Sequence, residues 1–559
     1  MNTNIGKSIA ALVLVGMCAL GEASAPDLVV HGGRVITVDA QTPEVSAFAV
    51  RDGNFIARGS DADMLALAGE NTEVVDLQGR TLIPGFNDAH LHSVMIPANA
   101  VPLRDIDSVD GLVSRLQQEV ASNPQDKSWL VAVGYDDMTL GRHLTRQDLD
   151  RISTERPIFV IHASLHLYVV NSLALDNARF PAAPFNPEGG TIYRDEQGNP
   201  SGLLSERASL QFLFNDKQPS PFASDLSTTL AELKRFYQRA HSQGITSFGD
   251  ALVSKELALA YWLSDPEEHG IRVNLMLEGG EELNDARWID RWSRVASSLG
   301  WQPFSTPWLR AKTVKLFHGL SLSGRTAKQY EHYHDRPDYF GEELQQNQQE
   351  LNKLVADVHA MGFQAAIHSN GDYEIDMTLK AIADASGADE REHRHRLEHA
   401  SIVNEAILQH MKELEVVMAP HSYIYEKGPM LEPYGEKLWP RMFANASTFE
   451  YGIPNAGNSD YPVSGLSPLL RIQSLVTRTS QQGKPYGLVQ TLSVEQALQA
   501  YTMGSAYASF EEDRKGSITP GKYADFVVLS DDPRQVDPMT IKDIQVEATY
   551  VAGKLRYQR

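Results

Sequence analysis

Cysteine is all but missing: of 559 residues only Cys18 carries a thiol, and it falls in the amino-terminal segment. The body of the chain therefore has no disulfide framework, no thiolate zinc site and no cysteine nucleophile, and any metal must be held by nitrogen and oxygen. Basic charge is scarce as well. Fifty Lys and Arg stand against 72 Asp and Glu, a formal charge of −22, and that field repels phosphate backbones and anionic membrane surfaces. Nucleic acid is not an expected partner. Beyond the first segment no apolar run approaches the roughly 20 residues that span a bilayer, and no internal repeat or low-complexity tract breaks the chain. What is plentiful is ordinary globular material, 42% hydrophobic and 22% charged. That supports a large core, and the length calls for two or three structural units.

The amino end carries Lys7, an apolar run from Ile9 to Leu20 and the small-x-small pattern Ala23-Ser24-Ala25. This predicts a secretory signal peptide over residues 1–25, cleaved after Ala25, and an exported product, periplasmic or secreted, with no membrane attachment once the signal is gone. Met17 stands where a lipid-anchor signal at Cys18 would want a small residue.

From "DLVVHGGRVITVD" to "TEVVDLQGRTLIPG", short β-branched runs alternate with Gly and Asp turn signals, and the same texture returns in "KGSITPGKYADFVVLSDDP" and "VEATYVAGKLRYQR". Two β-rich ends bury more apolar surface together than apart, so residues 26–83 and 512–559 are expected to form one composite β-sandwich. Between them, "WLVAVGY", "PIFVIHA", "GITSFGDA", "IRVNLMLEG", "AKTVKLFHG", "FQAAIHSNGD", "HRLEHA" and "EVVMAP" read as strands. Helical patterns such as "DLSTTLAELKRFYQRAHSQG" and "QNQQELNKLVADVHAMG" separate them and end at Gly. The expected fold is α/β, a TIM-type (β/α)8 barrel over residues 84–511, with an insertion at about 101–222 lying over the barrel mouth.

Chemistry begins at "TLIPGFNDAHLHS", where His90 and His92 follow an apolar run one residue apart. In a strand, alternate side chains share a face, so both imidazoles would converge on the barrel interior. With 18 histidines, other H-x-H pairs arise by chance, and His332, His334 and His393 sit in polar or charged settings that read as solvated surface. Two imidazoles do not complete a zinc site. His368 and His399 close apolar strands, although a histidine read alone in that setting is more often a satisfied structural one; Asp460 ends the last strand in "AGNSDYPVSG". Lys315 lies inside an apolar run, where an unpaired ammonium is costly. Asp88, two residues before His90, fits a turn better than an orienting role.

The segments "PGFNDAHLH", "HLYVVNSLAL", "PEGGTIYRDEQGNPSGLLSERA", "GITSFGDA", "VKLFHGLSLSGRTA", "HRLEHA", "NSDYPVSGLSPL" and "AYTMGSAYASFEEDRKGSITPGKYADFVVL" resemble, in order, the metal-dependent amidohydrolase superfamily. Within it the likeness is to the subgroup that includes N-substituted formamide deformylases, and it runs from about Asp27 to the carboxyl terminus. The resemblance implies two divalent metal ions, Zn2+ by preference. His90 and His92 would be the paired strand-one ligands, Lys315 a carboxylated lysine bridging the metals, His368 and His399 ligands of the second metal, and Asp460 the last-strand acid. His166 falls where the subgroup has a histidine near the substrate. The chain departs from the subgroup at His318 and Gly319 after the lysine strand, and at Ser369 and Asn370 after His368, positions expected to line the pocket.

This reading implies cleavage of a carbon–nitrogen amide-type bond in a small-molecule substrate by a metal-activated hydroxide, with carbon dioxide held on Lys315 as carbamate. Asp460 would take the proton from water and pass it to the leaving nitrogen. An ester or lactone hydrolase using the same centre, a catalytically silent binding or regulatory homologue, and a homo-oligomeric assembly stay open.

Overall fold

The computed structural model describes residues 25–178, 186–187, 189–209, 212, 220–222, 224–280, 283–387 and 391–559. The expected signal peptide, except for Ala25, lies outside the described residues, as does part of the expected insertion between residues 179 and 223. No helix among the described residues is long and apolar enough to cross a membrane.

The centre of the molecule is a sheet of seven parallel strands: β1 (Phe86–Leu91), β2 (Ile245–Val253), β3 (Arg272–Gly279), β4 (Leu309–Phe317), β5 (Gln364–Ser369), β6 (Arg396–His399) and β7 (Val417–Pro420). Each pairs with its sequence neighbour, β1 lying beside β2. Most of their side chains are buried whichever way they point, as expected where helices cover one face and the interior fills the other. The helices start where the sequence predicts. Asp225 caps Leu226–Ser242 and Asn347 forms a capping box with Glu350 at Gln348–Ala360; Gly244 and Gly362 follow them with left-handed φ.

The ring closes without an eighth regular strand among the described residues. Residues 454–460 bridge its two edges instead: Met418 N donates to Pro454 O, Ala456 N to Met418 O, Ala89 N to Gly457 O and Asp460 N to His90 O, each at 2.9 Å. Side chains replace the missing ladder bonds, since Asn458 Nδ2 donates to Pro420 O at 2.9 Å, and Asp460 turns out of the strand at φ 51°. A left-handed Asp ends regular pairing and re-aims its own carboxylate.

Two of the runs expected in the barrel, "WLVAVGY" and "PIFVIHA", belong elsewhere. They form the strands Leu130–Tyr135 and Ile158–His162 at the middle of a separate six-stranded mixed sheet made by residues 101–205. A buried apolar run reads the same in either sheet, so periodicity alone could not assign them. One apolar layer of this sheet packs under the helices Val109–Ser122 and Arg146–Asp150. The other meets Tyr423, Ile424, Tyr434, Trp439 and Phe443, which follow β7. The sheet is thereby fixed against the segment that leaves the barrel beside His421.

At the other end, Arg34–Ile36 and Thr81–Pro84 from the amino end join Phe526–Leu529, Val546–Val551 and Lys554–Gln558 from the carboxyl end in one six-stranded sheet. A four-stranded sheet built from residues 28–76 shares an apolar core with it. There Phe48 meets Phe55 and Phe526 edge-on at 5.1 Å, a favoured aromatic geometry.

A buried ion pair joins this unit to the barrel. Arg272 of β3 donates to Asp525 from Nε at 2.7 Å and from a terminal nitrogen at 3.1 Å, and its guanidinium lies 3.8 Å from the Tyr523 ring centroid and 4.2 Å from that of Trp308. Arg272→Ala leaves the Asp525 carboxylate buried and uncompensated, so urea unfolding should show a loss of about 3–5 kcal/mol, whereas Asp525→Asn on the Arg272→Ala background recovers part of it.

Candidate metal centre

At the carboxyl ends of the barrel strands the structure brings the predicted residues together and adds one. His90 ends β1 and His92 follows it; Lys315 lies on β4, His368 on β5, His399 ends β6, His421 follows β7 and Asp460 ends the closing segment. His90 Nε2 and His92 Nε2 stand 3.7 and 3.6 Å from Asp460 Oδ1, and the Nδ1 atoms of His399 and His421 stand 4.0 and 3.9 Å from Asp460 Oδ2. Lys315 Nζ is 3.3 Å from His90 Nε2, and the ring centroids of His368 and His399 are 4.5 Å apart. Candidate ligand atoms of His90, His399 and Asp460 all fall within 4.8 Å of one another.

Hydrogen bonds behind the rings fix which nitrogens face inward. His90 Nδ1 pairs with Glu398, whose other contacts come from Arg396: Nε to Oε1 at 2.7 Å and a terminal nitrogen to Oε2 at 2.9 Å. His92 Nδ1 donates to Ala251 O at 2.9 Å, and His368 Nε2 lies 3.2 Å from Leu320 O. A ring that spends one nitrogen on such a partner presents the other as a lone pair, and a carboxylate behind the ring raises its basicity. Asn370 holds the same Leu320 carbonyl through Nδ2 at 2.6 Å, 3.1 Å from His368 Nε2, while Ser401 donates to its Oδ1.

His399 Nδ1 and His421 Nδ1 are buried and have no hydrogen-bond partner among the described residues. Two buried nitrogens facing one carboxylate oxygen at 4.0 and 3.9 Å are too far for hydrogen bonds but near enough to close on a shared cation, since ligands about 2.0–2.2 Å from a common ion lie roughly 3.3–3.6 Å apart in a tetrahedral site. The electrostatics agree. Burial, then the Lys315 charge, lowers His90 to about 4, and burial first of all holds His92, His368, His399 and His421 well below the usual imidazole value, the neutral form a metal requires. Burial also pushes Lys315 down to about 8 and Asp460 up to about 7. Burial alone would raise Glu398, yet Arg396 and His90 hold it near 2, so it stays an anion behind His90. His399 and Asp460 sit in left-handed backbone, at φ 74° and 51°, a cost of order 1–3 kcal/mol each that is commonly met at functional sites.

Glu398 was not singled out by its sequence, and it supplies a sharp expectation. Glu398→Gln removes the charge behind His90 and unpairs Arg396; metal retained after dialysis against a graded chelator should correspond to an affinity about 10–100-fold weaker, with a lower melting temperature.

His166 joins the same cluster from the six-stranded sheet, its ring centroid 5.1 Å from that of His368. Its Nδ1 pairs with Glu206 Oε2 at 2.7 Å, and Thr326 Oγ1 donates to the other oxygen at 3.0 Å. Burial would lower His166, but Glu206 outweighs it and the net direction is upward. Asp88 is not a turn residue: it is fully buried on β1, and its Oδ1 accepts from His90 N at 3.2 Å and Ser459 N at 3.1 Å, tying β1 to the closing segment. Ser369 does not line the pocket, because its hydroxyl meets Thr378 at 2.8 Å on the following helix. His318 is buried with Nδ1 3.2 Å from Gln346 Oε1. His332 and His334 are exposed as expected, whereas His393 is half-buried and stacked 4.5 Å from His395. His395, next to Arg394 and Arg396, is fully buried and accepts from Ala365 N, which draws its neighbour inward. His421 was legible in principle, since "EVVMAPH" ends an apolar strand with His as "FQAAIH" does.

A closed parallel ring with buried His and Asp side chains at its strand ends is the architecture of a metal-dependent barrel hydrolase. The chain matches the amidohydrolase family over residues 73–557 and belongs to it. It is 27% identical to N-substituted formamide deformylase of Arthrobacter pascens, with 95% of this chain and 98% of that protein aligned, and 28% identical to YtcJ of Bacillus subtilis, with 95% and 99% aligned. An uncharacterized metal-dependent hydrolase from Pyrococcus horikoshii has the same fold, with a TM-score of 0.70 over 91% of this chain and 99% of that one at 24% identity.

Proposed function

We propose that the protein is an exported hydrolase of carbon–nitrogen amide-type bonds in small molecules, working with two divalent metal ions. The observation that carries this reading is the pair of orphaned, buried Nδ1 atoms of His399 and His421 facing Asp460. His90, His92, His368, His399, His421 and Asp460 would hold the ions, and an all-nitrogen-and-oxygen set of neutral imidazoles suits Zn2+. Bound there, such ions supply Lewis acidity to a carbonyl and acidify water.

The residues of the chain do the rest. Lys315 is fully buried, and no carboxylate lies within 4.0 Å of Nζ among the described residues. Burial favours the neutral amine, which adds to the carbon of carbon dioxide and releases one proton, replacing an unpaired cation by an anionic carbamate. Asp460 accepts a proton from water and delivers it to the leaving nitrogen, since an amine leaves poorly unless protonated. His166, which the Glu206 carboxylate on its Nδ1 shifts toward the imidazolium, then carries a proton on Nε2 as well and donates it in a hydrogen bond to the substrate oxygen.

The two terminal sheets, packed on one core, support a composite sandwich over residues 26–83 and 512–559 around a barrel spanning 84–511, with the six-stranded sheet as the insertion at the mouth. The leader-like residues 1–25 support export. A panel of matched amides, esters and lactones tests the reaction. Turnover of amides, abolished by chelation and restored by Zn2+, is expected; ester or lactone turnover alone would move the bond assignment, and no turnover of any class would leave a binding role.

A further inference from the structure

His92 lies one residue past the end of β1, so regular strand pairing does not fix it. Its backbone N donates to Tyr461 O at 2.7 Å and its Nδ1 meets Ala251 O at 2.9 Å. The β2 segment that offers this carbonyl is irregular. Its pairing with β3 shifts register between Ala251 and Val253, and Leu252 between them is left-handed at φ 65°. Bulges and left-handed residues of this kind re-aim groups beside functional sites.

Asp250, the residue before Ala251, grips the chain on the other side of His92. Its Oδ1 accepts from Ser93 N at 3.2 Å, and its Oδ2 accepts from Ser93 Oγ at 2.6 Å and from Tyr261 Oη. The two hydroxyls lie 2.6 Å apart. This is a costly place for an acid. Alternation along β2 puts Asp250 on the same face as Phe248, whose ring lies 5.3 Å from that of Phe236 and 6.4 Å from that of Tyr261, in the apolar layer under the helices. Asp250 is 1% exposed, and among the described residues no basic side chain lies within 4.0 Å of its carboxyl. A well-packed apolar residue would serve stability there at least as well. The bonds Asp250 makes instead all end on the residue after His92 and on the helix Lys255–Leu263 that carries Tyr261.

We propose that Asp250 and Tyr261 are positioning residues for His92. The acid anchors Ser93 to β2, the phenol anchors the acid to the helix, and with the Ala251 carbonyl they hold the imidazole in the plane it needs at the centre. The inference rests on the metal-centre reading given above. It makes the support of His92 separate from that of His90, whose ring is held by Glu398.

The test uses Co2+ alone, titrated into metal-free wild type, Asp250→Asn, Tyr261→Phe, Ser93→Ala and Tyr237→Phe and followed by visible absorption. Tyr237→Phe is the control, because the Tyr237 hydroxyl bonds Ser264 Oγ at 2.7 Å in the same apolar core. Wild type should bind two ions. Asp250→Asn should weaken one of them roughly tenfold or more and shift the absorption band of the loaded protein, and Tyr261→Phe and Ser93→Ala should weaken the same ion about threefold or more. Tyr237→Phe should lower the melting temperature while both affinities and the spectrum stay as in wild type. Asp250→Asn that binds both ions as tightly as wild type, or a loss of affinity equalled by Tyr237→Phe, overturns the positioning role and leaves the metal centre standing. Should Asp250→Asn fail to fold, Ser93→Ala decides: weakened binding of one ion sustains the role, and unchanged binding overturns it. A wild-type chain that binds no Co2+ overturns the metal-centre reading and the positioning role with it.

Discussion

Lys315→Met is expected to give a folded protein that retains fewer than two metal ions and turns over amides roughly 10^3-fold more slowly, a loss of about 4 kcal/mol in transition-state stabilisation. The side chain is fully buried, and its Nζ lies 3.3 Å from His90 Nε2. Methionine matches its volume and removes only the amine, so the fold should stand while the bridging anion disappears. The control is chemical. Wild type stripped of bicarbonate and metal should regain activity faster when both are supplied together than when Zn2+ is supplied alone, and Lys315→Met should show no bicarbonate effect. Equal activity of the two proteins would remove the carbamate from the mechanism.

Asp460→Asn should lower kcat on amides by about 10^2–10^4-fold, the range for a lost general acid–base group, with a smaller change in KM. The carboxylate lies within 4.0 Å of nitrogens from four histidines, so part of the loss reflects weaker metal retention. Leaving-group dependence separates the two effects. An amide must have its nitrogen protonated, whereas a p-nitrophenyl ester expels a stable anion, so the ester should lose at least tenfold less than the amide. Equal losses on both would confine Asp460 to holding metal.

Much of this centre was legible because barrel strands put function at their carboxyl ends. His90, His92, His368 and His399 each follow an apolar run, and Lys315 stood out as a charge inside one. His421 carries the same signal, but its strand is short and a proline precedes it, which weakens the reading. Glu398 and Arg396 lie in "HRLEHA" beside His399, yet their partner His90 is 308 residues from Glu398 in sequence. No local pattern encodes a contact of that separation. The barrel itself was visible from alternating strands and helices, whereas its closure was not. Residues 454–460 use Asn458 side-chain bonds and a left-handed Asp460 in place of a ladder, and neither has a periodic signature. The assignment of "WLVAVGY" and "PIFVIHA" failed for the complementary reason, since both have the periodicity of a buried strand and belong to a different sheet.

Metal quantification on protein purified with zinc and bicarbonate at neutral pH, beside a His399→Ala/His421→Ala variant, tests the central claim most directly. Two zinc ions per wild-type chain, with a reduced content in the variant, is the predicted result. A wild-type chain that binds no transition metal under those conditions would mean that these buried side chains are not a metal centre.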